Sequence, residues 1–199
     1  MAEPSRFTEI FLNPGEVYFG GRETRIRTIL GSCVSLVIWH PDLLVGGMCH
    51  FMLPERAIQN RGMLDGRYAN EAVELLCEDV RKIGAPPHEY RLKLFGGGNM
   101  FPNIARKGGT HIGEKNVIAA RAHIARRGFR MVSEHVEGYG HRHLIFDVWN
   151  GTVSLRHSAL GVQAKKAHQS AALILPMGFG DIKEPGEPPL PDGMEVSIK

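Results

Sequence analysis

The sequence predicts a single α+β domain. Most apolar residues fall in short runs bounded by Gly, Pro, Asn and Asp, the pattern of strands and turns. Two stretches, one from Asn70 to about Ile83 and one from Gly113 to about Arg127, carry apolar residues at helical spacing instead. At 199 residues, 43% hydrophobic and 23% charged, the chain has the apolar content that one buried core requires.

In chain order, residues 1–23 are mixed, with a turn at Asn13-Pro14-Gly15-Glu16 and a short strand at Val17–Phe19. Ile26–Leu30 is the next apolar element. Gly31-Ser32 interrupts it, and Val34–Trp39 resumes it. Gly31 provides for a positive φ or a close backbone approach just before Cys33. His40-Pro41-Asp42 turns the chain into Val45–Leu53, where Gly46-Gly47 marks a bulge or another close approach. A loop covers Arg56–Arg67. Asn70 then caps the first helix, with Val73, Leu76, Cys77, Val80 and Ile83 inward and Gly84 as its stop.

Arg91–Phe95 is a strand that runs into Gly96-Gly97-Gly98. That loop completes neither a phosphate-binding nor a dinucleotide fingerprint. The second helix, with Val117, Ala120 and Ile124 inward and Arg121 narrowing the stripe, is expected to be the less buried of the two. Arg130–Val136 is a strand. His143–Trp149 and Thr152–Leu155 form a hairpin through a tight Asn150-Gly151 turn. An Ala-rich helix is expected within 157–175. Residues 176–199, rich in Pro and Gly, are expected to be a flexible tail behind a domain of residues 1–175.

Composition argues against several function classes. A formal charge of +3 supplies no basic footprint for nucleic acid or a membrane surface. The ten histidines make the protein more basic below about pH 6. The first residues lack the apolar centre of a secretory signal, and no apolar run approaches the ~20 residues of a membrane span. Cys33, Cys49 and Cys77 are odd in number and form no Cys-x-x-Cys, which fits free thiols in a reducing cytosol.

Cys33 opens a strand directly after a Gly-Ser turn, and His50 lies on the neighbouring strand. These are the minimum parts of a thiol nucleophile and its base. Each also has a plainer reading, as a small buried hydrophobe and as a structural histidine. Thr28 is either a packed β-branched residue or the hydroxyl that orients the imidazole. On an extended strand Cys49 and His50 point to opposite faces, so Cys49 is a buried spectator, and helical spacing makes Cys77 a core residue. A metal set of His111, Cys33, Cys49 and the His141/His143 pair is the competing chemistry, although no spacing matches a zinc pattern. Arg121, Arg126 and Arg127 share no helix face and read as solvated charges.

The stretches Thr28-Ile-Leu-Gly-Ser-Cys33-Val and Gly46-Gly-Met-Cys-His50-Phe-Met-Leu-Pro54 resemble the signature of the CheD-type chemoreceptor glutamine deamidases. The resemblance continues through Lys93-Leu-Phe-Gly-Gly-Gly-Asn-Met100, Ile112-Gly-Glu-Lys-Asn-Val117 and Phe146-Asp147, over roughly residues 15–156. It implies a mixed, sandwich-like β-sheet core with flanking helices, and hydrolysis of receptor glutamines to glutamate. It places the nucleophile at Cys33 and the histidine at His50. The family's threonine falls at Thr28 or one residue earlier, where this chain has Arg27. Backbone amides around Gly31 and Ser32 would hold the oxyanion. The resemblance implies no cofactor and no metal. As partners it implies chemoreceptor cytoplasmic domains and a CheC-type phosphatase. Two other classes stay open: a non-catalytic adaptor for such a phosphatase, and a thiol amidase on a small substrate. A thiolate–imidazolium pair of Cys33 and His50 would give a bell-shaped pH dependence.

Overall fold

Burial patterns along two strands define the layers. On Thr24–Leu30 (β3), residues 24, 26, 28 and 30 are buried while Arg27 and Ile29 face solvent. Its sheet is therefore covered on one face. Val34–His40 (β4) is buried at every position, which requires cover on both faces. The result is three layers: an outer sheet, a central sheet, and helices on the far side of the central sheet.

The computed structural model describes residues 2–56, 62–101 and 110–158, and the backbone of 174–177 and 195–198. The outer sheet is formed by Thr8–Phe11 (β1), β3, His141–Asp147 (β8), Thr152–Ser158 (β9), Ile174–Met177 (β10) and Glu195–Ile198 (β11), in the order β1-β3-β8-β9-β11-β10. The central sheet contains Val17–Gly20 (β2), β4, Val45–Phe51 (β5), Arg91–Gly96 (β6) and Arg130–Val136 (β7), in the order β2-β5-β4-β6-β7. Both sheets are mixed: β1–β3 and β6–β7 are parallel, while β3–β8 and β4–β5 are antiparallel. The α+β class and the sandwich-like core agree with expectation.

Alternate residues of the central sheet supply two cores. Val34, Leu36, Ile38, Cys49, Phe51, Leu92 and Leu94 meet the helices Ala69–Ile83 (α1) and Ile112–Ala125 (α2). Val37, Trp39, Met48 and Phe95 meet Ile26, Leu30, Leu144, Phe146 and Val153 of the outer sheet. The β4–β5 register runs unbroken from Val34↔Phe51 to His40↔Val45, so Gly46-Gly47 makes no bulge there.

Three local expectations are corrected, and a fourth holds in part. The first helix is not capped by Asn70: it begins at Ala69, Tyr68 is its N-cap residue, and Ala69 N–H donates to Leu53 O at 2.9 Å. That strand-to-helix bond satisfies an amide that a capping side chain would otherwise serve. The second helix exposes five of its residues against three in α1, yet it buries as many. Seven of its fourteen residues are buried, against seven of fifteen in α1, because Gly113, Asn116 and His123 extend its inner face. It also ends at Ala125 rather than Arg127. The β8–β9 hairpin turns through four residues, 148–151, because Val148 and Trp149 are buried at the end of the sandwich. Within that turn Trp39 Nε1–H donates to Val148 O, and the Asn150 side chain accepts from Thr152 N–H. The expected helix within 157–175 and the expected tail fall largely outside the described residues, where only β10 and β11 are described.

Candidate active site

Thr28 lies on the inner face of β3 and His50 on β5, so each faces the seam between the sheets. Both are almost completely buried. Thr28 Oγ1 stands 2.8 Å from Leu12 O and 2.8 Å from His50 Nδ1. A hydroxyl has one proton to donate, and the Leu12 carbonyl can only accept. Thr28 therefore donates to Leu12 O and accepts from His50 Nδ1–H. That assignment leaves the lone pair on Nε2, which is buried and has no hydrogen-bond partner. The main chain of His50 is also held: His50 N–H donates to Glu16 O at 2.9 Å, and His50 O accepts Gly15 N–H at 2.7 Å. The neighbouring Arg27 points to the opposite, exposed face and pairs with Glu9 at 3.1 Å, so Thr28 is the residue that meets the imidazole.

Cys33 precedes β4 and is partly exposed. The register pairs Ser35 with His50, and Cys33 lies two residues before Ser35, on the same face. Its packing against the core between the sheets agrees. Cys33 and His50 are thus diagonal neighbours on adjacent strands, roughly 7–8 Å apart at the backbone and within reach of side chains. Their side chains are not hydrogen-bonded to each other. Cys49 belongs to the opposite, helix-facing core, and Cys77 sits on α1.

The turn that presents Cys33 is held by its carbonyls. Gly31 O accepts Gly98 N–H at 2.9 Å and Cys33 O accepts Gly97 N–H at 2.8 Å. Ser32 O accepts Asn116 Nδ2 at 3.1 Å, and the same Asn116 nitrogen donates to Met52 O at 2.9 Å. In a trans peptide the N–H points opposite the C=O, so the Ser32 and Cys33 amides face away from these partners. Gly31 has no positive φ. A Cβ there would lie 3.0 Å from the Met100 sulfur, at the far end of a flexible side chain that can shift, so the contact is close without demanding glycine.

Burial governs the electrostatics. It pushes the Cys33 thiol up, opposed by the residue's own backbone amide. It pushes the His50 imidazole down, opposed by the Leu12 carbonyl and the charge of Glu16. Both shifts favour a neutral thiol beside a neutral imidazole rather than the thiolate–imidazolium pair considered from sequence.

The competing metal set is not assembled. Cys33 and Cys49 face opposite layers, and among the described residues no three His, Cys, Asp or Glu side chains come together to hold a metal. His141 and His143 stack on each other, with ring centroids 5.3 Å apart. Arg121 and Arg127 are paired, with Glu134 and Glu74 respectively. A groove of about 720 Å³ between the helices, at Glu55, Arg56, Glu74 and His123, contains neither Cys33 nor His50. A much smaller cavity of about 40 Å³ adjoins the turn before Cys33, at Ser32, Gly98, Met100 and His111. Sequence reasoning missed Asn116. Its signal was a polar residue one helical turn before Ala120, on the inward stripe.

Comparison with known proteins identifies the family. Residues 52–157 match the family described as CheD chemotactic sensory transduction. A Pseudomonas fluorescens protein named "Probable chemoreceptor glutamine deamidase CheD" is 44% identical over 85% of this chain and 96% of its own. A Pseudomonas savastanoi relative of the same name is 46% identical over 85% of this chain and 96% of its own. One from Dechloromonas aromatica, named "Probable chemoreceptor glutamine deamidase CheD 3", is 49% identical over 77% and 90%. With relatives this similar over most of its length, the chain belongs to the CheD family.

Proposed function

We propose that the chain hydrolyses glutamine side chains of chemoreceptor cytoplasmic domains to glutamate, with Cys33 as nucleophile, His50 as base and acid, and Thr28 as orienter. The observation that carries this reading is the Thr28–His50 hydrogen bond, which leaves Nε2 unpartnered on the sheet face shared with Cys33. The names of the relatives supply the substrate class.

In the first step the Cys33 proton passes to His50 Nε2 as sulfur bonds to the carboxamide carbon. The carbonyl oxygen takes the negative charge, facing the Ser32 and Cys33 amides. The C–N bond then breaks, and the nitrogen leaves as ammonia with the proton from His50. Water next adds to the thioester, giving a proton to His50. The C–S bond breaks, the proton returns to sulfur, and glutamate is released. A neutral receptor side chain becomes a negative one, which alters the electrostatics of a helical bundle and so tunes adaptation. The working compartment is the cytosol, where receptor signalling domains reside. Among the described residues no helix is long and apolar enough to cross a membrane.

Peptide mass spectrometry of a receptor cytoplasmic fragment tests the reading. Incubation with the protein should add about one dalton at particular glutamines, the exchange of NH₂ for OH by the thiol route. Cys33→Ala should abolish the shift. A shift that persists at the wild-type rate in Cys33→Ala removes the mechanism, and no shift with wild-type protein favours the adaptor reading.

A further inference from the structure

We propose that Asn116 is a positioning residue for this chemistry, aligning the turn that carries Cys33 with the strand that carries His50. The inference rests on the thiol mechanism proposed above.

The β4–β5 ladder ends at the pair Val34↔Phe51. One step beyond it the strands have no rung of their own: residue 33 stands opposite residue 52. Asn116 bridges that step from outside the sheet. Its Nδ2 donates to Ser32 O at 3.1 Å on one side and to Met52 O at 2.9 Å on the other. The two acceptors flank the reacting groups, one residue before Cys33 and two residues after His50. Turning the amide over would set its oxygen against two carbonyl oxygens, so the network assigns its orientation.

This placement has a consequence for the oxyanion site. Ser32 O and Cys33 N–H belong to one peptide plane. Holding the carbonyl toward Asn116 aims the Cys33 amide the opposite way, toward the position where negative charge develops on substrate. Without the clamp, the plane is free to turn and the donor is lost from the transition state. The helix is brought within reach by a close contact of two glycines: a Cβ on Gly113 would lie 2.4 Å from Gly97 O. Gly97 N–H in turn donates to Cys33 O. Asn116 is fully buried, yet its Oδ1 has no hydrogen-bond partner. The Nδ2 group also satisfies two main-chain carbonyls, so loss of stability and loss of rate have to be read separately.

The test compares Asn116→Ala and Asn116→Asp with Val80→Ala, a truncation in the helix-facing core. Asn116→Asp removes the donors without opening a cavity, and its Tm reports the cost of setting a carboxyl oxygen against Ser32 O and Met52 O. Each variant is measured for Tm and for kcat and KM of deamidation on the receptor fragment. Both Asn116 variants should lose kcat by about ten- to a hundredfold, the scale of a small misplacement of reacting groups. KM should stay within about twofold, since the clamp acts in the transition state. Val80→Ala should lower Tm while kcat is kept. The inference is overturned if Asn116 and Val80 variants of equal Tm lose kcat equally, or if the Asn116 variants change KM alone. A wild-type protein that leaves the fragment unmodified overturns the proposed function and this inference with it; the losses named before overturn the inference alone.

Discussion

The two faces of the central sheet come from the same strands and bury different chemistry. The helix-facing side carries Leu36, Ile38, Cys49, Phe51, Leu92 and Leu94, all apolar. The side facing the outer sheet mixes Val37, Trp39, Met48 and Phe95 with Ser35, His50 and Lys93, and the opposing strands add Thr28 and Arg142. Buried polar groups require partners at fixed positions. Two hydrogen-bonded sheets supply such positions: Thr28 reaches His50 across the seam, and Arg142 Nε–H donates to His135 Nδ1 at 2.9 Å. Even the Lys93 ammonium is desolvated there, and burial pulls it down to about 7. The sheet residues on the helix-facing side are apolar, and the seam holds the buried polar groups of the two sheets.

The largest expected effect separates the faces by cysteine. Cys33→Ala should remove all measurable deamidation with Tm nearly unchanged, because the residue is partly exposed and outside the ladder. Leu76→Ala on α1 should do the reverse. Leu76 is buried in the helix-facing core, and its truncation should cost about 2–5 kcal/mol while leaving the rate per folded molecule intact. Denaturant melts and mass spectrometry on both variants check this. A Leu76→Ala protein that is fully folded yet inactive would break the comparison.

Thr28→Val comes next. It preserves shape and removes the hydroxyl, so Leu12 O and His50 Nδ1–H both lose a buried partner. Stability should fall by about 1–3 kcal/mol. The rate should fall by about ten- to a hundredfold, part of what a general base contributes, because the imidazole is free to choose the wrong tautomer. Thr28→Ser should restore most of the rate. Equal rates for Val and Ser would show that the hydroxyl does not orient His50.

The pH profile follows from the neutral pair. Protonating His50 removes the base, and burial lowers its pKa, so the acid limb should lie below the ordinary imidazole value. Ionising Cys33 removes the proton that ammonia needs, and burial raises its pKa, so the alkaline limb should lie above the ordinary thiol value. Between the limbs the pair holds one shareable proton, and the two apparent values belong to the pair. A plateau wider than free residues would give is expected for kcat/KM, with a tenfold loss per pH unit beyond each limb. A narrow bell centred between closely spaced values would favour the resting ion pair instead.

Much of the fold was legible because it rests on period. Two apolar runs separated by the His40-Pro41-Asp42 turn read as adjacent strands, strand alternation sends Cys49 away from His50, and helical spacing places Cys77 in the core. The site was less legible because its bonds cross layers. Thr28 and His50 meet from different sheets, and Asn116 reaches Ser32 and Met52 across 84 and 64 residues. No local period encodes how layers are stacked. The misread first-helix cap has a similar cause: Leu53 O serves the Ala69 amide from outside the helix.

The smallest effect belongs to Cys49, and it tests the comparison most directly. Cys33 and Cys49 lie on adjacent strands and face opposite layers. Burial pushes the Cys49 thiol up to about 12, and none of it is exposed. Only the thiolate reacts with iodoacetamide, so the folded protein should take up label at Cys33 first. Cys49 should be labelled only through opening of the helix-facing core, at a rate that follows stability. Cys49→Ala should then cost about 1 kcal/mol and lower Tm by about 2–4 °C, with the deamidation rate per folded molecule unchanged. Peptide mapping of labelled protein, with a melt of the variant, measures both. Labelling of Cys49 ahead of Cys33, or loss of activity in Cys49→Ala without loss of Tm, would mean that the chemistry extends to the helix-facing side.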